Sequence, residues 1–378
     1  MTRTRAFGGV AAGIVLAALA PSLPAAAQDA IELLEPAAAD DDGEYRPPAD
    51  LAAVPTMPSY KPRKTAWGDP DLRGGWPIDS LGGLALQRTA AQGTRVYLTP
   101  EEYAAVEARM KASQEAYARE DKEDRIGMGH WVEMTGAGRR TSLLIDPPDG
   151  RLPPLTEEGV RRASLMRSSW VPGQTFDWID DFDTWDRCVT RGFPASMLPF
   201  RYNNGMRIFQ SPGYVVVALE MIHDARVIPT DGSRPVHGNV AMWFGDSRGR
   251  WEGNVFVVET TNLKPGASAL NMATIGVPPN NTLPMSDQAT VVEKFALDGR
   301  DTLVYEMTYS DPVVWQAPFT VRMDIPRNDD YEFYEYACHE GDVQVRNYVT
   351  ASRAQRRDEA ARQRAAYEAG RTAAGGDR

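Results

Sequence analysis

Cysteine and histidine are scarce in this 378-residue chain, which has two cysteines, Cys188 and Cys338, and four histidines, His130, His223, His237 and His339. Several familiar signatures are missing altogether: there is no His-Glu-x-x-His, no Walker loop, no Gly-x-Gly-x-x-Gly and no Cys-x-x-Cys. The commonest metalloprotease and dinucleotide readings are thereby set aside. Positive charge is also short, with 41 Lys and Arg against 52 Asp and Glu and a formal net charge of −11. A polyanion meets repulsion, so nucleic acid is not an expected partner. Beyond Gln28 no apolar run approaches the roughly 20 residues needed to cross a bilayer, so no transmembrane segment is expected in the mature chain. No fixed-period repeat is visible either, and no helical pattern alternates regularly with strand-like runs, which disfavours a parallel α/β fold.

What is present begins with the order of a secretion signal. Arg3 and Arg5 precede the apolar run Phe7 to Ala20, and Ala25-Ala26-Ala27 offers a small-residue cleavage site. Residues 1–27 therefore read as a signal peptide, and the mature protein as periplasmic or secreted. From 28 to 64 the chain is rich in Ala, Pro and Asp, with Asp40, Asp41, Asp42 and Glu44 massed together, and a disordered linker is expected. An oxidising compartment favours a Cys188–Cys338 disulfide. Such a bridge closes a loop of about 150 residues, worth roughly 4 to 5 kcal/mol in the chain-entropy picture. Two separately buried thiols are the alternative.

The remainder, 65–350, reads as a single β-rich domain with a helical N-terminal part, followed over 351–378 by a polar helix and a frayed tail. Thr99-Pro100-Glu101-Glu102 combines a cap, a first-turn proline and a Glu at the third helical position, so a helix is expected to about Glu120. Thr156-Glu157-Glu158 opens a shorter one reaching Met166. Between Met206 and Cys338 short runs rich in Val, Tyr, Phe and Thr predict strands at 207–210, 214–222, 240–245, 254–262, 290–297, 302–310, 319–325 and 331–338. Along 302–310, Leu303, Tyr305, Met307 and Tyr309 share one face and the other is mostly polar. That alternation fits an antiparallel sheet, and the expected fold is mainly β: a lipocalin-like antiparallel barrel or a sandwich core with a few peripheral helices.

Three polar clusters are the candidates for chemistry. In 220–226, strand alternation sets Glu220, Asp224 and Arg226 on one face and His223 on the more apolar one, where an imidazole is tuned for acid/base work. In 334–340, His339 and Glu340 follow Cys338 and are pinned beside Asp186 and Arg187 if the disulfide forms. In 243–253, Trp243, Asp246, Arg248, Arg250 and Trp251 crowd an expected hairpin turn, where arginine can clamp a carboxylate or carbonyl oxygen. Asn203 and Asn204 can present amides to the same mouth. Gly245-Asp246-Ser247-Arg248-Gly249 has nucleophile-elbow spacing, but it joins two expected strands rather than a strand and a helix.

Asp186-Arg187-Cys188, Glu220-x-x-His223, the run from Gly245 to Gly253, Thr260-Thr261-Asn262 and the run from Tyr334 to Gly341 together resemble a family of exported bacterial proteins of unknown function, over roughly 69–360. The resemblance implies that the chain from about Trp67 onward is one unit, and it carries no activity. The residues themselves point to an exported small-molecule enzyme of lyase, isomerase or hydrolase type acting on an amphipathic or aromatic substrate. His223 would be its acid or base, Glu220 or Glu340 the orienting partner, and Arg248 or Arg250 the oxyanion stabiliser, with Tyr305, Trp243 and Trp251 lining the cavity. The alternative is a non-catalytic binding protein for a small-molecule ligand. No cofactor is expected, a metal held by His223, His339 and a carboxylate being the lesser possibility. Intact-mass measurement of protein recovered from its native compartment is expected to place the N-terminus at Gln28; retention of residues 1–27 would refute the leader.

Overall fold

The computed structural model describes residues 45–375 except 82, 124, 126–137, 172 and 272–281. The expected leader, the first part of the expected linker and His130 lie outside the described residues. Twelve described strands form two antiparallel sheets and a small ladder. The smaller sheet joins β1 (Gly74–Gly75), β3 (Met206–Ser211), β4 (Tyr214–Leu219) and β5 (Ala225–Pro229) in that order. The larger runs β2 (Leu144–Asp146), β12 (Phe319–Pro326), β11 (Thr302–Ser310), β10 (Thr290–Asp298), β7 (Val255–Thr261) and β6 (Asp246–Glu252). β8 (Leu270–Asn271) pairs with β9 (Thr282–Leu283).

No closed barrel forms among the described residues, since each sheet keeps two edges, and two packed sheets describe the fold better than the expected barrel. One core serves both. Ile208, Val217 and Ile228 of the smaller sheet join Phe256, Phe295, Leu303 and Met307 of the larger in it. Gly249 shows how closely the facing edges approach: a Cβ there would lie 2.5 Å from the Phe256 ring and 3.1 Å from Ile228. Along β11 the expected alternation holds, with Leu303, Tyr305, Met307 and Tyr309 all fully buried. Val304, the apolar exception on the polar face, is fully buried too.

That second face is covered because the chain before it is not loose. The carbonyl of Leu51 accepts from Val96 and Tyr97, Arg322 donates to the carbonyl of Thr56 at 2.9 Å, and Asn254 donates to the carbonyl of Tyr60 at 3.1 Å. Residues 45–64, expected as linker, thus have backbone partners on several elements. Composition hid this because extended chain that satisfies its polar groups on neighbours needs no apolar periodicity.

The most demanding element of the core is ionic. Arg226 of β5 donates to Glu293 of β10 at 2.8 and 2.5 Å, with the two side chains 2% and 0% exposed. Tyr305 donates to the same carboxylate at 2.9 Å, Arg226 also reaches Ser247 and Thr260, and its guanidinium lies 4.5 Å from the Phe193 ring centre. Burial works against the charge on Arg226, and the Glu293 carboxylate more than offsets it, leaving the pKa raised.

Helix α1 (Pro100–Lys122) starts with the expected box: Glu102 N donates to Thr99 Oγ1 at 3.2 Å and Thr99 N to the Glu102 carboxylate at 2.9 Å. Helix α2 (Glu157–Leu165) is capped by Thr156, which accepts from Gly159 N. Helix α3 (Gln344–Gly375) starts a turn and more before the expected 351, because Tyr348 packs edge-on against Phe176 and Ser352 caps the Phe176 amide.

Three expected strands are corrected. Residues 240–245 turn at Gly245, whose φ of +64° strand backbone does not allow, and the expected turn 246–249 is instead the start of β6. The strand from Tyr214 stops at Leu219 rather than Ile222, and 331–338 is irregular, ending in a helical turn, Cys338–Gly341. In β6 the polar Asp246 and Ser247 are buried without penalty because Val236 N and Arg226 donate to them.

Removing one partner of the Arg226–Glu293 pair strands the other charge in the core. Arg226→Met or Glu293→Leu alone is expected to cost about 3 to 5 kcal/mol in urea unfolding, and the double change less than the sum of the two. Additive costs would mean that the pair does not couple.

Candidate functional site at the disulfide-bridged end of the smaller sheet

Cys188 and Cys338 form a disulfide. It joins the loop 183–191 to the segment that leads into α3, and both meet the β4–β5 connection there. Glu220, just past β4, is 2% exposed and takes four donors: Tyr331 Oη at 2.8 Å, Tyr334 N at 3.0 Å, Gly205 N at 3.1 Å and Asn203 Nδ2 at 3.1 Å. Glycine at 205 is required, because a Cβ would sit 2.4 Å from Tyr331 and 3.0 Å from the Glu220 carboxylate. Glu220 thus ties the 331–334 segment to the sheet. It does not orient His223.

The next residues form a strained turn. Ile222 has φ +59° and His223 φ +45°, left-handed values that a β-branched residue avoids. His223 N donates to the Glu220 carbonyl while its imidazole is exposed. Ile222 is buried instead, packing with Met221 and Trp185, and Trp170, Phe200, Tyr202 and Tyr336 close around them. The rings touch in series, Trp170 to Trp185 at 5.8 Å, Trp185 to Phe200 at 5.2 Å and Phe200 to Tyr202 at 4.8 Å between centroids. Behind them Arg191 is 1% exposed, its guanidinium 5.1 Å from the Phe200 ring centre and 5.5 Å from that of Trp185. It donates to the carbonyl of Leu198 at 2.9 Å, and burial brings its pKa down to about 9.

Asp224 follows the strained turn and precedes β5. Burial pushes its carboxyl from 3.8 to about 7, against the opposing pull of Thr190, whose hydroxyl lies 3.4 Å away. Close by in sequence to Thr190, Asp183 is pushed to about 6 by burial and then by the Asp186 charge. Asp186 accepts from Ser169 N and Oγ at 2.8 and 2.6 Å.

The first two sequence clusters therefore converge, through Glu220 with Tyr334 and through Tyr336 with Met221 and Ile222, but with other residues inward than expected. His339 and Glu340 are exposed on the helical turn after the bridge. Among the described residues no group of three or more His, Cys, Asp or Glu is placed to hold a metal ion, so the set His223, His339 and a carboxylate does not assemble.

The third cluster lies on the larger sheet and is engaged in its own contacts. Arg248 pairs with Asp246 and donates to the Arg234 carbonyl at 3.1 Å, and Arg250 lies between Glu252 and Glu259 at 2.7 and 2.6 Å. Trp251 packs on Phe256, and Trp243 carries Lys264 4.3 Å from its ring centre. Ser247 is a buried partner of Arg226 and Thr260, not an elbow nucleophile. Tyr305 is core, and Asn204 is buried, accepting from Phe200 N at 2.6 Å.

Asp224, Arg191 and the rings around Trp185 are what the sequence reading passed over. Asp224 sits beside His223, but strict strand alternation put it on the wrong face, and no glycine or asparagine at 222 or 223 signals the turn. No family model, curated protein or solved structure matches this chain.

An acid whose folded pKa lies above its unfolded value binds more protons in the folded state between the two. Wild-type stability is therefore expected to fall as pH rises from about 4 through about 7, and Asp224→Asn to remove part of that slope. The measurement is urea unfolding of both proteins at pH 4.5 and 8; identical pH profiles would show that Asp224 is not perturbed.

Proposed function

We propose that the protein is an exported small-molecule enzyme of acid/base type, a lyase, isomerase or hydrolase for an amphipathic or aromatic substrate, in which Asp224 rather than His223 moves the proton. The observation that carries this reading is a half-buried carboxyl titrating near 7, positioned by a strained turn next to an aromatic cluster. Such a group has both protonation states available at neutral pH, the condition that favours general acid/base catalysis. The exposed His223 imidazole lies one residue away. The rings of Trp185, Phe200, Tyr202 and Tyr336 give an apolar surface with a buried cation behind it, suited to a flat or aromatic substrate. Arg248, Arg250, Trp243, Trp251 and Tyr305 take no part.

A carrier holding its ligand inside a barrel finds no support, because Tyr305 and Tyr309 fill the interior and their hydroxyls are spent on Glu293 and Asp311. The test is a turnover screen over aryl esters, lactones and β-elimination substrates. Activity that titrates near pH 7 and drops by about a hundredfold or more in Asp224→Asn is expected. Loss in His223→Ala with Asp224→Asn unchanged would return the role to His223, and activity unaffected by either change would sink this site.

A further inference from the structure

The net negative charge conceals one strongly basic element. Helix α3 carries seven arginines against three acids and no lysine, in a chain of formal net charge −11. Their spacing is not random. Arg346, Arg353, Arg357, Arg364 and Arg371 follow one another at intervals of seven, four, seven and seven residues, which at 100° per residue places all five within an arc of about 40°. Asp358 and Glu359 project from other sides by the same count, and only Glu368 borders the stripe. Arg353 is engaged with Asp177, whereas Arg346, Arg357, Arg364 and Arg371 make no ion pair among the described residues. Every residue from Arg357 to Ala369 is exposed, so beyond Ser352 and Arg356, which hold it to the 176–177 segment, the helix stands clear of the body.

We propose that this stripe is a docking surface for an anionic lipid bilayer, against which α3 lies flat. A helix with no apolar face cannot insert, but a row of arginines about 21 Å long from Arg357 to Arg371 meets a headgroup lattice without needing any particular phosphate spacing. Clearance from the body resolves the conflict with net charge. From Arg357 on, the arginines sit on exposed helix and can touch the surface directly, while charges of the body that lie farther from that surface than a Debye length of about 8 Å are screened. Where the stripe leaves the 176–177 segment, Asp177, Arg353, Arg356, Arg357 and Ala360 line a shallow groove of about 380 Å³, room for one phosphate headgroup beside Arg357. Each arginine at such a surface raises partition by roughly fivefold.

The experiment is co-sedimentation of the full protein with vesicles of phosphatidylcholine alone and with vesicles of about three parts phosphatidylcholine to one part phosphatidylglycerol. Binding to the anionic vesicles only is expected. It should be lost at high salt, reduced at least tenfold in the triple variant R357E/R364E/R371E, and kept when the same positions carry lysine. These positions are exposed, and unchanged circular dichroism checks that the variants fold. Equal binding to both vesicles, binding indifferent to the charge reversal, or capture by a soluble sulfated polysaccharide without vesicle binding would each overturn the proposal. The outcome is independent of whether Asp224 is catalytic.

Discussion

The interaction on which the other features hang is the ion pair of Arg226 and Glu293. Apolar contacts between two sheets tolerate sliding, because a methyl group displaced by an ångström finds another neighbour. A forked guanidinium holding one carboxylate, with a tyrosine hydroxyl on that same carboxylate and two strand hydroxyls on the fork, has one satisfactory position. Displacing it leaves an ion uncompensated in the core. We therefore read the pair as the device that sets the register between the sheets. Arg226 is also the second residue of its strand, so whatever holds it holds the start of that strand, where Asp224 sits.

This order of dependence explains the strain at Ile222 and His223. The preceding strand is anchored by the Glu220 carboxylate and its four donors, and the following one by Arg226. Only a few residues remain to reverse the chain between two fixed points. A left-handed isoleucine is tolerated because its side chain is buried among aromatic rings, whose contacts offset the backbone cost.

How much of this was legible in the sequence follows from the range of the interactions involved. The caps at Thr99 and Thr156 and the alternation along 302–310 are local, and each was readable. The 240–245 and 331–338 segments were misread because their Val, Met, Tyr and Phe content suits a strand, while their backbone is decided by contacts with residues far off in the chain, such as Glu220 for Tyr334. The candidate site failed in the same way. Grouping His223 with Glu220 presumed an unbroken strand, and one left-handed turn turns the imidazole outward and leaves the neighbouring carboxyl half-buried. The run of arginines along one helix escaped a reading made on the total charge, which is acidic.

The disulfide has a consequence for how the molecule is made. Ten of the twelve described strands lie between Cys188 and Cys338. Because a chain is synthesised from its N-terminus, the second sulfur does not exist until every one of those strands has been produced. The bridge therefore cannot act on any of those strands until all of them have been made, and once formed it fastens the root of the arginine helix to the loop 183–191.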